Sequence, residues 1–163
     1  MRQVLSFAKE APLKTIRINV NQPVTEIMDA LIAQEAFKDI ELTLDLADNL
    51  PDIYIDPVQI GQVVLNILLN ATHAITPPGK IHVSTRVADR FIEFITSDTG
   101  KGIPEENLPK IFDPFFTTKD KSRGTGLGLA VSYGIIKKHG GDIEVRSKVD
   151  EGATFIVRLP INK

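Results

Sequence analysis

"SRGTGLGLAV", residues 122–131, sets three glycines at alternate positions, Gly124, Gly126 and Gly128, between a basic stretch (Lys119, Lys121, Arg123) and a run that reads as a helix from about Leu127 to Lys138. Two common phosphate motifs fail here on spacing. A P-loop needs G-x-x-x-x-G-K-[ST] and a dinucleotide fingerprint needs G-x-G-x-x-G, and neither "GTGLGLA" nor the nearby "GKGIPE" completes one. What remains is a helix opened by Gly126 and Gly128, whose unpaired N–H groups and positive dipole end suit an anion. The plainer reading is a flexible connector with a glycine cap.

Outward from this point the chain alternates strand pairs with helices. Downstream, "GDIEVRSKV" (141–149) and "ATFIVRLP" (153–160) read as an antiparallel pair turned by "DEG". Upstream, residues 99–125 are irregular, with at most one short helix around 104–111; a stretch this long suits a functional lid. Before it lie two strands, "KIHVSTRVA" (80–88) and "RFIEFITSD" (90–98), and a helix over 57–75. Asp56 and Pro57 supply that helix with an N-cap and a first-turn proline, and "TPPGK" closes it. Further back, "DIYID" (52–56) is a short β candidate, and "IELTLDLA" (40–47) alternates strictly. "VTEIMDALIAQEAFKD" (24–39) puts Val24, Ile27, Met28 and Leu31 on one helical stripe, and "LKTIRINV" (13–20) alternates as a strand. Residues 1–11 have a helical pattern that stops at Pro12. Paired strands between helices predict an α+β two-layer sandwich: a mixed, mainly antiparallel sheet with helices on one face.

Composition narrows the function classes. A length of 163 residues fits one domain. Nineteen Lys and Arg against 21 Asp and Glu give a net charge of −2, so no global basic surface points to nucleic acid or an anionic membrane, and an anionic ligand must be held locally. Cysteine is absent, which removes thiolate chemistry and suits a reducing cytosol. The longest apolar run, "VVLNILLNA" (63–71), is short and broken by two asparagines, so no direct membrane contact is expected.

Those asparagines, Asn66 and Asn70, lie four apart on one face of an apolar helix. They have two readings. Either they satisfy backbone groups in the core, or their carboxamide oxygens hold a hard cation such as Mg²⁺ that substrate phosphates complete. "DTGKGI" (98–103) is likewise either a plain turn or a site in which Asp98 accepts from an exocyclic amine while Gly100 and Gly102 make room for a flat ring.

The order of blocks resembles a known family: the asparagine helix, D-x-G-x-G-I, the aromatic box "IFDPFFTTK", "GTGLGL" and "GATFIVRLP". It is similar to the ATP-binding catalytic domain of bacterial sensor histidine kinases, with the Bergerat-type fold shared with gyrase B, the mismatch-repair ATPase and the heat-shock ATPase chaperone. The match runs from about residue 18 to 160. The resemblance implies ATP and Mg²⁺ as cofactors. Asp98, with Gly100, Gly102 and Ile103, would hold adenine, and Thr154 would lie near it through the aspartate and a water. Asn70 would ligate Mg²⁺ with help from Asn66, the two being the catalytic pair. Gly124, Thr125, Gly126, Leu127, Gly128 and Leu129 would meet the phosphates and hinge a mobile ATP lid. Phe112, Phe115 and Phe116 would anchor that lid, Phe112 serving equally well as core packing, while Thr117, Thr118, Lys119, Lys121 and Arg123 would lie in it. At His73 many relatives carry a lysine, so this phosphate contact is either lost or passed to a weaker, pH-dependent donor.

Hydrolytic members of that superfamily resemble one another in a glutamate one turn before the magnesium asparagine; here the position is Asn66, which is no general base. The expected reaction is therefore transfer of the γ-phosphate to a histidine. None of His73, His82 and His139 lies in a phosphoacceptor box. Residues 1–12 resemble the end of a dimerisation hairpin, which makes 13–163 a catalytic domain separated from its acceptor. The expected partners are the dimerisation and histidine-phosphotransfer domain of the same protein and a response regulator receiver domain, with no nucleic acid. A monomeric, cytoplasmic domain is expected, including the cytoplasmic part of a membrane-bound sensor. The alternatives are a stand-alone serine kinase of the anti-sigma type and a nucleotide-sensing module without transfer.

Overall fold

A computed structural model describes residues 12–116 and 127–161. The helical stub over 1–11 lies outside the described residues. The elements run β1 (Ile16–Ile18), α1 (Asn21–Leu31), a 3-10 turn (Glu35–Phe37), β2 (Ile40–Asp45), β3 (Ile53–Ile55) and α2 (Pro57–Ala74). They continue with β4 (Gly79–Ala88), β5 (Phe91–Asp98), a second 3-10 turn (Glu105–Lys110), α3 (Gly128–Lys138), β6 (Asp142–Ser147) and β7 (Ala153–Pro160).

Five strands form one sheet in the order β2-β4-β5-β7-β6, in which only β2 and β4 pair in parallel. The expected mixed, mainly antiparallel α+β layer is therefore what folds. Strand alternation sends Ile81, Val83, Ile92, Phe94, Phe155, Val157 and Leu159 into a core shared with Ile60, Val63, Val64, Ile67 and Leu68 of α2. β1 stands apart, pairing antiparallel with β3 in a two-stranded sheet. It is shorter than the 13–20 alternation suggests.

The helix expected over 24–39 also differs. It starts at Asn21, because Pro23 in the first turn needs no N–H partner and Asn19 Oδ1 accepts the Asn21 N–H at 2.9 Å. It ends at Leu31, where the apolar stripe runs out: Ile32 is exposed, and Phe37 regains the core from the 3-10 turn. Asp56 caps α2 as expected, Oδ1 accepting from Val58 N–H at 3.1 Å and Gln59 N–H at 3.2 Å.

The sheet's other face is roofed by charge. Glu93 of β5, its side chain 4% exposed, accepts 2.7 Å bonds from Arg86 of β4 and Arg158 of β7, and Arg158 reaches on to Glu144 of β6. Burial alone would push the Glu93 carboxyl up, but the two guanidinium partners outweigh it and hold it below the ordinary glutamate value. A depressed acid contributes stability above its unfolded pKa and loses it as pH falls through the folded one. Glu93→Gln should therefore lose about 2 kcal/mol at neutral pH, since hydrogen bonds to charged groups are at stake, and show a shallower acid limb in urea melts taken from pH 7 to 3. An identical loss at every pH would show that ionisation of Glu93 contributes nothing.

Candidate functional site

β5 ends by burying a carboxylate. Asp98 is 7% exposed, and its Oδ1 accepts from Gly100 N–H at 2.8 Å and Ala153 N–H at 3.3 Å. Among the described residues no donor reaches Oδ2, so one oxygen is left for an outside N–H. Burial pushes the Asp98 carboxyl up, and the two backbone amides draw it part of the way back.

Glycines make the cradle possible by close backbone approach. A Cβ at Gly100 would sit 2.6 Å from Ala74 O, at the end of α2. Gly152, at φ +77°, would put one 1.9 Å from Asp98 O, and Gly102, at φ +75°, one 2.0 Å from Lys148 O. Hydrogen bonds stitch the same junctions: Lys101 N–H to Ala74 O at 2.9 Å, and Asp150 N–H to Lys101 O at 2.7 Å. Ile103 N–H bonds Ser147 Oγ at 2.8 Å, and the Ile103 side chain packs on the core. The loop after Asp98 is thus pinned between the end of α2 and the β6–β7 turn.

α2 forms the second wall. Asn66 and Asn70 are half-buried, as is His73 in its last turn. Asn66 Nδ2 donates to Gly128 O at 3.1 Å and to Ser132 Oγ at 3.2 Å, and Ser132 Oγ donates to Gly128 O at 2.8 Å. For Asn66 the amide nitrogen thus ties α2 to the first turn of α3, and among the described residues no donor reaches its carbonyl oxygen. No side chain caps α3, and no acid lies in its first turn. Among the described residues Val131 N–H is the first of α3 to bond back, to Leu127 O at 2.9 Å, so the N–H groups of Gly128, Leu129 and Ala130 have no described partner in the helical ladder. Leu127 is the half-buried N-cap residue and Leu129 packs on the core.

Thr154 requires a correction. Its hydroxyl lies 3.0 Å from Ser97 Oγ on the sheet face opposite Asp98, and Ala153 is the residue that meets the aspartate. Period-two reading of "ATFIVRLP" signals this, because the buried Ala153, Phe155, Val157 and Leu159 share a face that Thr154 cannot. In the aromatic box, Phe112 packs on the core and on Tyr133 of α3, ring centroids 5.2 Å apart; Phe115 is exposed, and Phe116 half-buried. Thr117, Thr118, Lys119, Lys121, Arg123, Gly124, Thr125 and Gly126 lie outside the described residues.

His139, in "KKHGG", closes α3 from within the core. It is 2% exposed; its Nε2 accepts the Asp56 N–H at 3.0 Å while Nδ1 lies 2.8 Å from Ile135 O. A backbone amide can only donate, so Nε2 bears the lone pair and Nδ1 the proton. This bond fastens the end of α3 to the start of α2, and Asp56 Oδ2 accepts the Lys14 N–H at 3.0 Å beside it.

Comparison with known proteins agrees with this geometry. Residues 55–163 match the family described as histidine kinase-, DNA gyrase B-, and HSP90-like ATPase, and the chain belongs to it. It is 38% identical over 161 residues to the sensor histidine kinase ZraS of Escherichia coli (strain K12), covering 98% of this chain and 34% of that protein. It is 38% identical over 162 residues to sporulation kinase E of Bacillus subtilis (strain 168), covering 99% of this chain and 22% of the relative. The chain thus spans about a third of the first relative and less than a quarter of the second. Among solved structures, the catalytic domain of histidine kinase ThkA superposes with TM-score 0.79 at 32% identity, covering 91% of this chain and 96% of that one. ThkA in complex with the response regulator TrrA gives 0.81 at 29% identity, covering 99% of this chain and 46% of that one.

The glycines divide by role, and thermal melts can separate them. Gly128→Ala meets only Asn66 side-chain atoms, none nearer than 3.6 Å, and should shift stability by less than about 1 kcal/mol. Gly152→Ala should cost more than about 2 kcal/mol, through strain and displacement of the Asp98 backbone. Equal effects would contradict this division.

Proposed function

We propose that this chain is the ATP-binding catalytic domain of a sensor histidine kinase: it binds ATP with Mg²⁺ and donates the γ-phosphate to a histidine on a dimerisation domain, within a two-component pathway. The observation that supports it most is the buried Asp98, with Oδ1 taken by two amides and Oδ2 without a donor among the described residues, in a loop that Gly100 and Gly152 allow to pack closely. A lone buried acceptor selects an exocyclic amine, as adenine offers, and leaves a guanine carbonyl repelled. The triphosphate then extends towards α3, where the first-turn N–H groups and dipole face it without a competing cap.

The residues present fit Mg²⁺. It takes hard oxygen ligands and keeps several waters, and Asn70, with the carbonyl of Asn66, supplies neutral oxygens on the α2 face opposite α3. Bound there, the ion would neutralise charge on the β- and γ-phosphates. Catalysis then rests on positioning. Asn66 has no basic lone pair to activate water, and its amide is committed to Gly128 and Ser132, which disfavours hydrolysis.

The acceptor comes from outside the domain. His139 is buried in the bond to Asp56, His82 sits 2.6 Å from Thr43 Oγ1 on the outer sheet face, and His73 belongs to α2 itself. Residues 1–12 would be the end of the hairpin that presents the phosphoacceptor. Thr117, Thr118, Lys119, Arg123, Gly124, Thr125 and Gly126 would form the lid over the phosphates, and His73 would face them from α2. A response regulator would take the phosphoryl group onward, as the pairing of ThkA with TrrA suggests. We place the domain in the cytoplasm, where ATP and that partner meet; among the described residues no helix is long and apolar enough to cross a membrane.

Two assays check the reading. ADP binding by calorimetry should strengthen with Mg²⁺ and fall at least tenfold in Asp98→Asn, a loss of ~1.4 kcal/mol or more, while the variant melts no lower than the parent because it buries no charge. Below neutral pH the affinity should decline sooner than for an ordinary aspartate, since burial raises the pH at which Oδ2 is protonated. With labelled ATP and the purified hairpin domain of the same protein, label should pass to the hairpin histidine. Release of free phosphate with an unlabelled hairpin would overturn the transferase reading.

A further inference from the structure

Ser132 sits one turn into α3 and is 0% exposed. Its Oγ donates to Gly128 O at 2.8 Å, a bond that a helix serine commonly makes to the carbonyl four residues back. A second contact leaves the helix. Asn66 Nδ2 of α2 reaches the same Oγ at 3.2 Å and Gly128 O at 3.1 Å, so the three groups close a ring between two helices.

The chemistry of that ring fixes which way the Asn66 amide points. A backbone carbonyl can only accept, so the atom of Asn66 beside Gly128 O is the NH2 group. With its own proton spent on the same carbonyl, the Ser132 oxygen offers a lone pair and takes the second Nδ2 proton. Both amide protons are thereby used against α3. Turning the amide by half a rotation would set Oδ1 against Gly128 O, two acceptors in contact, and strand the NH2 group. Without the Ser132 hydroxyl only one bond resists that rotation.

The oriented oxygen lies where an oxygen ligand is useful. Gly128 carries no Cβ, and the place one would take is 3.8 Å from Asn66 Oδ1. Oδ1 therefore adjoins the first residue of α3, whose N–H has no described partner in the helical ladder. A neutral oxygen and the anion-binding amides are held side by side through one serine.

We infer that Ser132 is a positioning residue of the nucleotide site: acting through Asn66, it holds the carboxamide with Oδ1 presented to a divalent cation on the phosphates, while its own buried hydroxyl stays out of reach of the ligand. This rests on the nucleotide reading above.

Calorimetric titration of ADP, with and without Mg²⁺, into the parent, Ser132→Ala, Asn66→Ala and the double variant tests it. Binding by the parent should strengthen with Mg²⁺. Ser132→Ala should forfeit about three- to tenfold of that gain, the worth of one net hydrogen bond, with little change in the affinity measured without the metal. The double variant should bind no more weakly than Asn66→Ala, because the serine acts only through the asparagine. In spectra of the nucleotide-free protein, the Asn66 Nδ2 protons should exchange with water more slowly than those of exposed side-chain amides, and faster in Ser132→Ala than in the parent. A magnesium gain that survives in Ser132→Ala, equal losses with and without the metal, or additive losses in the double variant would overturn the role of Ser132 and leave the nucleotide site standing. Should Ser132→Ala fail to fold, fast exchange of the Nδ2 protons in the parent overturns that role and slow exchange supports it. A parent without magnesium-dependent ADP binding would overturn the nucleotide reading, and this inference with it.

Discussion

The structure turns on one cost: an ionisable group carried to the end of a central strand and kept from water. Burial disfavours the Asp98 carboxylate, and two backbone amides offset only part of that. To bring those amides in, the chain must approach itself closely at Gly100 and Gly152, where no side chain fits. The loop after β5, the end of α2 and the β6–β7 turn are therefore one mechanical unit, built around that carboxylate.

α2 is the wall that the unit shares with α3. At its end Ala74 O accepts from Lys101 N–H, and along its middle Asn66 Nδ2 donates to Gly128 O and Ser132 Oγ. At its start Asp56 accepts the Lys14 N–H and gives its own N–H to His139. These five bonds along the helix and its cap fix it to the loop after β5, to both ends of α3 and to the segment before β1. Displacing α3 requires breaking polar contacts at both its ends.

Much of this was legible in the sequence, and the exceptions have physical reasons. The Asp56-Pro57 start of α2, the alternation of β4, β5 and β7, and the glycines around Asp98 are local signals, because propensity and period record them directly. β1 and the end of α1 were misjudged where tertiary contacts decide: a three-residue strand exists only because β3 pairs with it, and the stripe over 24–39 breaks when Phe37 takes another route to the core. His139 reads as a helix-end cation until the fold brings Asp56, 83 residues away in sequence, against it. Thr154 was misplaced against a signal that was present, since strand alternation already assigns Ala153 to the pocket side.

An adenine nucleotide in this domain should bridge Asp98 and the first turn of α3. Amide chemical-shift mapping with ADP and Mg²⁺ tests that most directly. The largest shifts should fall in two clusters: Gly100, Lys101 and Ala153 at the base pocket, and Gly128, Leu129 and Ala130 at the start of α3, with the outer-face amides of β4 and β6 unmoved. Shifts confined to one cluster, or spread over the outer face of the sheet, would contradict it.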